Sequence, residues 1–179
     1  MEKRERHLIV CGRYADAFLS SYRNELSFDS CIVVNDLFEG IYPQNTEFIY
    51  FKEYKHFSSL IARRKMPEIL KEVLKTLRGD IICFAALGHG SGTGIYRAIG
   101  NFFRTLNEPE RLKFVSIRPW ETEGDYAVSQ ANEAVLEHTD MFIQMSLSIS
   151  KVKQYMNARN IEEAYQVADK WAVKMLQVL

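Results

Sequence analysis

The sequence predicts an α/β domain, Rossmann-like and doubly wound, with a mostly parallel sheet of about six strands and helices on both faces. Short apolar, β-branched runs alternate along the chain with segments whose apolar residues recur every three or four positions. Several of the runs are apolar throughout rather than at every second residue, as strands covered on both faces of a parallel sheet are. The 179 residues show no repeat, low-complexity tract or linker, so 1–179 reads as a single domain with room for a substantial core.

Residues 7–12 (HLIVCG) read as a first buried strand and 15–25 as a helix. Residues 30–35 (SCIVVN) make a second strand, followed by an irregular stretch holding Gly40 and Pro43. Residues 47–51 (EFIYF) make a short third strand. Pro67 suits the first turn of a helix, and PEILKEVLKTL from there is amphipathic. Gly79-Asp80 opens IICFAAL, a fully apolar fourth strand. A helix over 93–106, the strand KFVSIRP, a helix over 124–137 and the strand DMFIQMS follow. The last element is a long helix over 160–178, with Ile161, Ala164, Tyr165, Ala168, Trp171, Ala172 and Met175 on one face.

Lys+Arg and Asp+Glu balance at 23 each, so no overall field favours nucleic acid or an anionic membrane as a partner. Cys11, Cys31 and Cys83 sit in apolar runs with no C-x-x-C spacing, which suits buried free thiols rather than a disulfide framework or a zinc site. The N-terminus lacks the apolar core of a signal peptide, and no run reaches a membrane span. The expected setting is the cytoplasm.

The segment that carries chemistry is Gly88-His89-Gly90-Ser91-Gly92-Thr93-Gly94, set between the fourth strand and a helix. Glycines let backbone approach a phosphate closely and adopt positive φ. The helix behind offers unpaired N–H groups and a positive dipole end. Ser91 and Thr93 add uncharged hydroxyls. Read alone, the loop is either an anion cradle at the carboxyl end of a strand or a tight strand-to-helix turn. It matches neither the G-K-[ST] phosphate loop nor the dinucleotide G-x-G-x-x-G after a first strand.

At these residues the chain resembles the tubulin/FtsZ superfamily, whose loop reads G-G-G-T-G-[ST]-G; His89 replaces one glycine and Ser91 the threonine. Arg118-Pro119-Trp120-Glu121-Thr122-Glu123-Gly124 is similar to the FtsZ branch's basic residue and P-F-x-x-E-G. Thr139-Asp140-Met141-Phe142-Ile143 resembles a V-D-x-L-I strand, and Val33-Val34-Asn35-Asp36 a V-N-T-D turn. Glu163 to Lys170 is similar to the core helix D-A-F-x-x-A-N-D. The resemblance implies a domain that binds GTP or GDP, with Mg²⁺ arriving on the phosphates. It implies Glu123 at the ribose, Tyr165 against guanine, Asp169 at the base edge and Asn35 near ribose or phosphate. It further implies an FtsZ-like, tubulin-like cytoskeletal role, in which the chain meets itself or a related filament. By the same match the chain ends inside the core helix at Leu179 and holds no second domain. Read without the family, Glu123 is an acid at a helix N-terminus, Tyr165 a core residue and Asn35 an Asn-Asp turn.

The pattern also departs from the family. Gly12-Arg13-Tyr14-Ala15-Asp16-Ala17 holds one glycine where the family has a run. Arg13 and Tyr14 put bulk where a diphosphate needs room, unless Arg13 replaces backbone donors with a charge-assisted contact. Of the family's A-G-x-N-P only a proline survives in Arg63-Arg64-Lys65-Met66-Pro67, whose cations either meet a γ-phosphate or form a solvated patch. Three readings follow: a guanine-nucleotide-binding, filament-associated domain that hydrolyses slowly at most; a pseudo-GTPase interaction module; and an unrelated α/β enzyme acting on a nucleotide or phosphorylated metabolite, with His89 as its candidate acid or base.

Overall fold

A computed structural model describes residues 4–38, 40–51 and 66–179. Six strands, β1 (Arg6–Cys11), β2 (Ser30–Asn35), β3 (Thr46–Tyr50), β4 (Asp80–Ala86), β5 (Leu112–Arg118) and β6 (Ile143–Ser148), form one sheet in the order β3-β2-β1-β4-β5-β6. Every neighbouring pair is parallel. The helices are α1 (Gly12–Tyr22), α2 (Glu68–Thr76), α3 (Gly90–Leu106), α4 (Asp125–His138), α5 (Ile149–Tyr155) and α6 (Ile161–Val178). The predicted doubly wound α/β architecture is the observed one.

Period-two alternation divides each strand between two cores. On β1, Ile9 and Cys11 face a layer built with Leu70, Leu74, Ile99 and Ala131 of α2, α3 and α4. Leu8 and Val10 face Phe18, Val152, Ala168 and Leu176 of α1, α5 and α6. On α6, Ala164, Ala168 and Ala172 are fully buried at a four-residue spacing, which lets the helix lie close over the sheet. The Asn160 side chain caps it, accepting from the Glu163 N–H at 2.8 Å. All three cysteines are buried free thiols, with Cys11 Sγ 3.6 Å from Cys83 Sγ.

Several boundaries differ from the sequence reading. Both α1 and α3 start three residues early, at Gly12 and Gly90, because glycine with positive φ lets a helix begin directly at the strand end. The last strand begins at Ile143 rather than Asp140, since Phe142 N–H returns to His138 carbonyl at 3.1 Å and closes α4 with a turn. The short helix α5 has no counterpart in the sequence reading. Arg63, Arg64 and Lys65 lie outside the described residues.

The strand order reverses between β1 and β4: β2 and β3 follow to one side, β5 and β6 to the other. Ligands of open α/β sheets bind in the crevice at such a point, beyond the carboxyl ends of the strands. The Gly12 turn leaves β1 there and the glycine loop leaves β4.

Candidate functional site

The two turns meet back to back. A Cβ on Gly12, whose φ is +82°, would lie 2.8 Å from Gly92 Cα, and a Cβ on Gly92 would lie 2.7 Å from the Cys11 carbonyl oxygen. Only paired glycines allow that approach, so the N-termini of α1 and α3 converge on one spot. Neither helix has a side-chain cap, and neither carries an acid in its first turn. Their first N–H groups and dipole ends are left for another partner.

In front of them opens a cavity of about 380 Å³, lined by Gly12, Arg13, Tyr14, Asp36, His89, Gly90, Ser91, Gly92 and Tyr165. That volume falls within the range of small-molecule sites, about 300–1,000 Å³. Gly90 has φ +58°, and a Cβ built on it meets nothing within 4 Å. The loop is thus bare backbone facing open space. Thr93 Oγ1 accepts from the Gly88 N–H at 2.8 Å and so braces the loop from behind. Ser91 and Thr93 are nearly buried, and Gly94 is fully inside α3. Gly88, at φ +105°, passes within 2.7 Å of the Ala127 carbonyl at its notional Cβ, so that turn also admits only glycine.

One wall of the cavity is an aromatic and acidic network. Glu123 Oε1 accepts from the Trp120 N–H at 2.7 Å and from the Tyr165 hydroxyl at 2.8 Å, while its Oε2 lies 3.0 Å from His89 Nε2. The Tyr165 and Tyr14 rings touch, with centroids 5.5 Å apart. The Tyr14 hydroxyl donates to Asp169 Oδ1. Burial pushes both phenols well above their usual range, reinforced by the carboxylate each one faces: Asp169 for Tyr14 and Glu123 for Tyr165. Burial also raises the Asp169 carboxyl, and the Tyr14 bond pulls against that rise. Tyr165 lines one end of the cavity, with Glu123 and Asp169 bonded to that wall through Tyr165 and Tyr14. All three are already bonded to the protein.

The opposite wall is ionic. Arg13 Nε and Nη2 donate to Asp36 Oδ1 and Oδ2 at 3.1 and 3.2 Å, which turns the guanidinium towards β2. Asn35 stands apart from the glycine-loop cavity. Its side chain is buried, donating to Asp16 Oδ2 at 2.6 Å and to the Leu37 carbonyl at 3.1 Å, and accepting from the Asp36 N–H at 2.8 Å. It lines a neighbouring cavity of about 670 Å³ together with Asp16 and Ser20. That space is the larger of the two. The contact that the sequence reading did not foresee is the Tyr14–Asp169 bond, whose partners are 155 positions apart.

No protein-family model and no curated protein matches the chain. Its fold is nevertheless that of known structures. FtsZ from M. jannaschii (a W319Y mutant) superposes with a TM-score of 0.79 at 14% identity, covering 97% of this chain and 55% of that one. The GDP-bound monomer of CetZ1 from Haloferax volcanii gives 0.68 at 13%, with 95% and 58% covered. The GTPγS-form protofilament of TubZ from Bacillus thuringiensis serovar israelensis gives 0.67 at 11%, with 98% and 55% covered. The chain spans just over half the length of these structures and has their tubulin/FtsZ-like fold.

Proposed function

We propose, for a chain with this tubulin/FtsZ-like fold, that the cavity binds a guanine nucleotide, its phosphates against Gly90–Gly92 and its base end towards Tyr165 and Asp169. The observation that carries the reading is the pair of uncapped helix N-termini converging on the open space that Gly90, having no Cβ, leaves clear. Backbone N–H groups in that arrangement bind anions without needing a lysine. GTP or GDP fits the donor set. Glycine-loop amides and the Ser91 hydroxyl would hold phosphate, Glu123 would meet a sugar hydroxyl, and Asp169 would accept from N–H donors of guanine. Mg²⁺ would arrive with the phosphates and neutralise their charge.

The chain's own residues bind and orient far more than they activate water. Asp36 is tied to Arg13, and Asp16 is buried with its Oδ2 held by Asn35, so neither acid is presented to a water in the glycine-loop cavity. Hydrolysis by the chain alone is accordingly slow or absent. FtsZ-like proteins seen as filaments and protofilaments share the fold, which supports association of this chain with itself or with a related filament as its cytoskeletal role.

A second reading rests on the Tyr14–Asp169 bond. With Asp169 occupied and Tyr14 against Tyr165, the base end is shut, as in a pseudo-GTPase that serves as a protein-interaction module. Fluorescence separates the two, because Trp120 and Tyr165 flank Glu123. A saturable change on adding GTP or GDP, absent with equimolar pyrimidine nucleotide, supports guanine binding. No change at millimolar nucleotide favours the interaction module.

A further inference from the structure

A second polar cleft lies on the same rim of the sheet, beyond the ends of β5 and β6. It encloses about 280 Å³ between α4 and α5. Arg118 and Ser148 are register partners at the last position of the two strands, so they stand side by side at its base. Lys151 and Gln154 follow Ser148 at three-residue spacing along α5, and Val128 and Asn132 of α4 form the facing wall.

The chemistry of the lining is that of an anion site. Arg118 Nη1 donates to Asn132 Oδ1 at 3.1 Å, while its Nε is buried with no acceptor. Among the described residues, neither Arg118 nor Lys151 has a carboxylate partner. Ser148 heads α5 without its hydroxyl bonding the helix, and Ser150 Oγ accepts from the Glu121 N–H at 3.1 Å. The lining thus holds two unpaired cations against one exposed acid, Glu121. An oxyanion in the cleft would give the Arg118 guanidinium and the Lys151 ammonium the anionic partner that neither has among the described residues. A guanidinium fork beside an ammonium and hydroxyls suits the tetrahedral oxygens of phosphate. The volume sits just below the range of ordinary ligand sites, which favours a small group over a whole nucleotide.

We propose that this cleft is a binding site for a phosphate dianion, free or as a small phosphomonoester, separate from the glycine-loop cavity and independent of it. The test follows Arg118 Nε–H and the Ser148 amide by ¹⁵N NMR in the intact chain at pH 8. Inorganic phosphate and glycerol 3-phosphate are titrated in parallel, against sodium chloride at matched ionic strength. Both signals should move saturably with phosphate at millimolar concentration and barely with chloride. Tighter binding of the monoester identifies a phosphorylated metabolite as the ligand, and equal binding identifies the free ion. Lys151→Gln removes an exposed charge without touching the core and should weaken binding about fivefold or more; Arg118→Gln should abolish the saturable shift at Ser148. Saturating the glycine-loop cavity first should leave the response intact. Linear shifts equal to those from chloride, or unchanged affinity in a folded Lys151→Gln protein, would overturn the site.

Discussion

Replacing Tyr14 by Phe keeps the ring against Tyr165 and deletes only the hydroxyl that donates to Asp169. A hydrogen bond to a charged acceptor contributes roughly 1.5–3 kcal/mol. Tyr14 and Asp169 are both only partly buried, and Tyr14 lines an open cavity, so the lower end applies, about 1.5 kcal/mol. Two opposite effects follow from that one figure. The free protein should lose about 1–1.5 kcal/mol of stability, a fall in Tm of roughly 3–5 °C for a chain of this size. If a guanine base needs Asp169, the wild-type protein must break the bond before binding. The variant has no bond to break, and its affinity for GTP should rise about tenfold. Urea denaturation and calorimetric titration on the same preparation read both numbers. A variant that is less stable yet binds GTP equally or more weakly would show that the bond does not compete with the base, and the closed-end geometry would have to be abandoned.

His138 gives a pH signature. Burial among Phe114, Tyr96 and Phe142 pulls its pKa down to about 4 from 6.5. The folded state thus holds fewer protons than the unfolded one below pH 6.5. This contribution is fully present above about pH 6.5 and is lost as pH falls towards 4, by roughly 2 kcal/mol between pH 7.5 and 5. His138→Leu should flatten that slope; an identical slope in wild type and variant would contradict the assignment. Gly90→Asn places a side chain in the open cradle at a φ that asparagine tolerates. It should cost less than about 1 kcal/mol of stability while removing nucleotide binding, and unchanged affinity in the folded variant would show that the loop does not hold phosphate. Phosphate release at saturating GTP should stay near background across a range of protein concentrations. Brisk release linear in protein would reveal a complete catalytic site within one chain.

Much of this was legible because the relevant physics is local. Strands buried on both faces announce themselves as unbroken apolar runs, and the five predicted helices appear within three residues of the expected bounds. The glycine loop was legible for a local reason too: glycines crowded between a strand and a helix mark backbone that takes positive φ, as Gly88 and Gly90 do. What escaped the sequence is non-local. Tyr14 reads as bulk in a phosphate loop until α6 brings Asp169 to its hydroxyl. His138 lies just past the helix the sequence predicts over 124–137, and its burial depends on the turn to Phe142 and the ring of Phe114. Helix α5 buries only Ile149 and Val152, too few positions for a period to be read. Asn35 kept its two readings in the sequence, and its geometry is that of an Asn-Asp turn locked to Asp16.

Whether the cavity holds a guanine nucleotide is decided by calorimetric titration of the chain with GTP, GDP, ATP and a dinucleotide in magnesium buffer, repeated with Glu123→Gln. Saturable binding of GTP and GDP, at least tenfold tighter than ATP and the dinucleotide, and weakened by Glu123→Gln, is the predicted result. Binding should also raise stability by mass action, by about 2.7 kcal/mol at a hundredfold excess over Kd. No heat with any guanine nucleotide at millimolar concentration, or equal affinity for all four ligands, would contradict it.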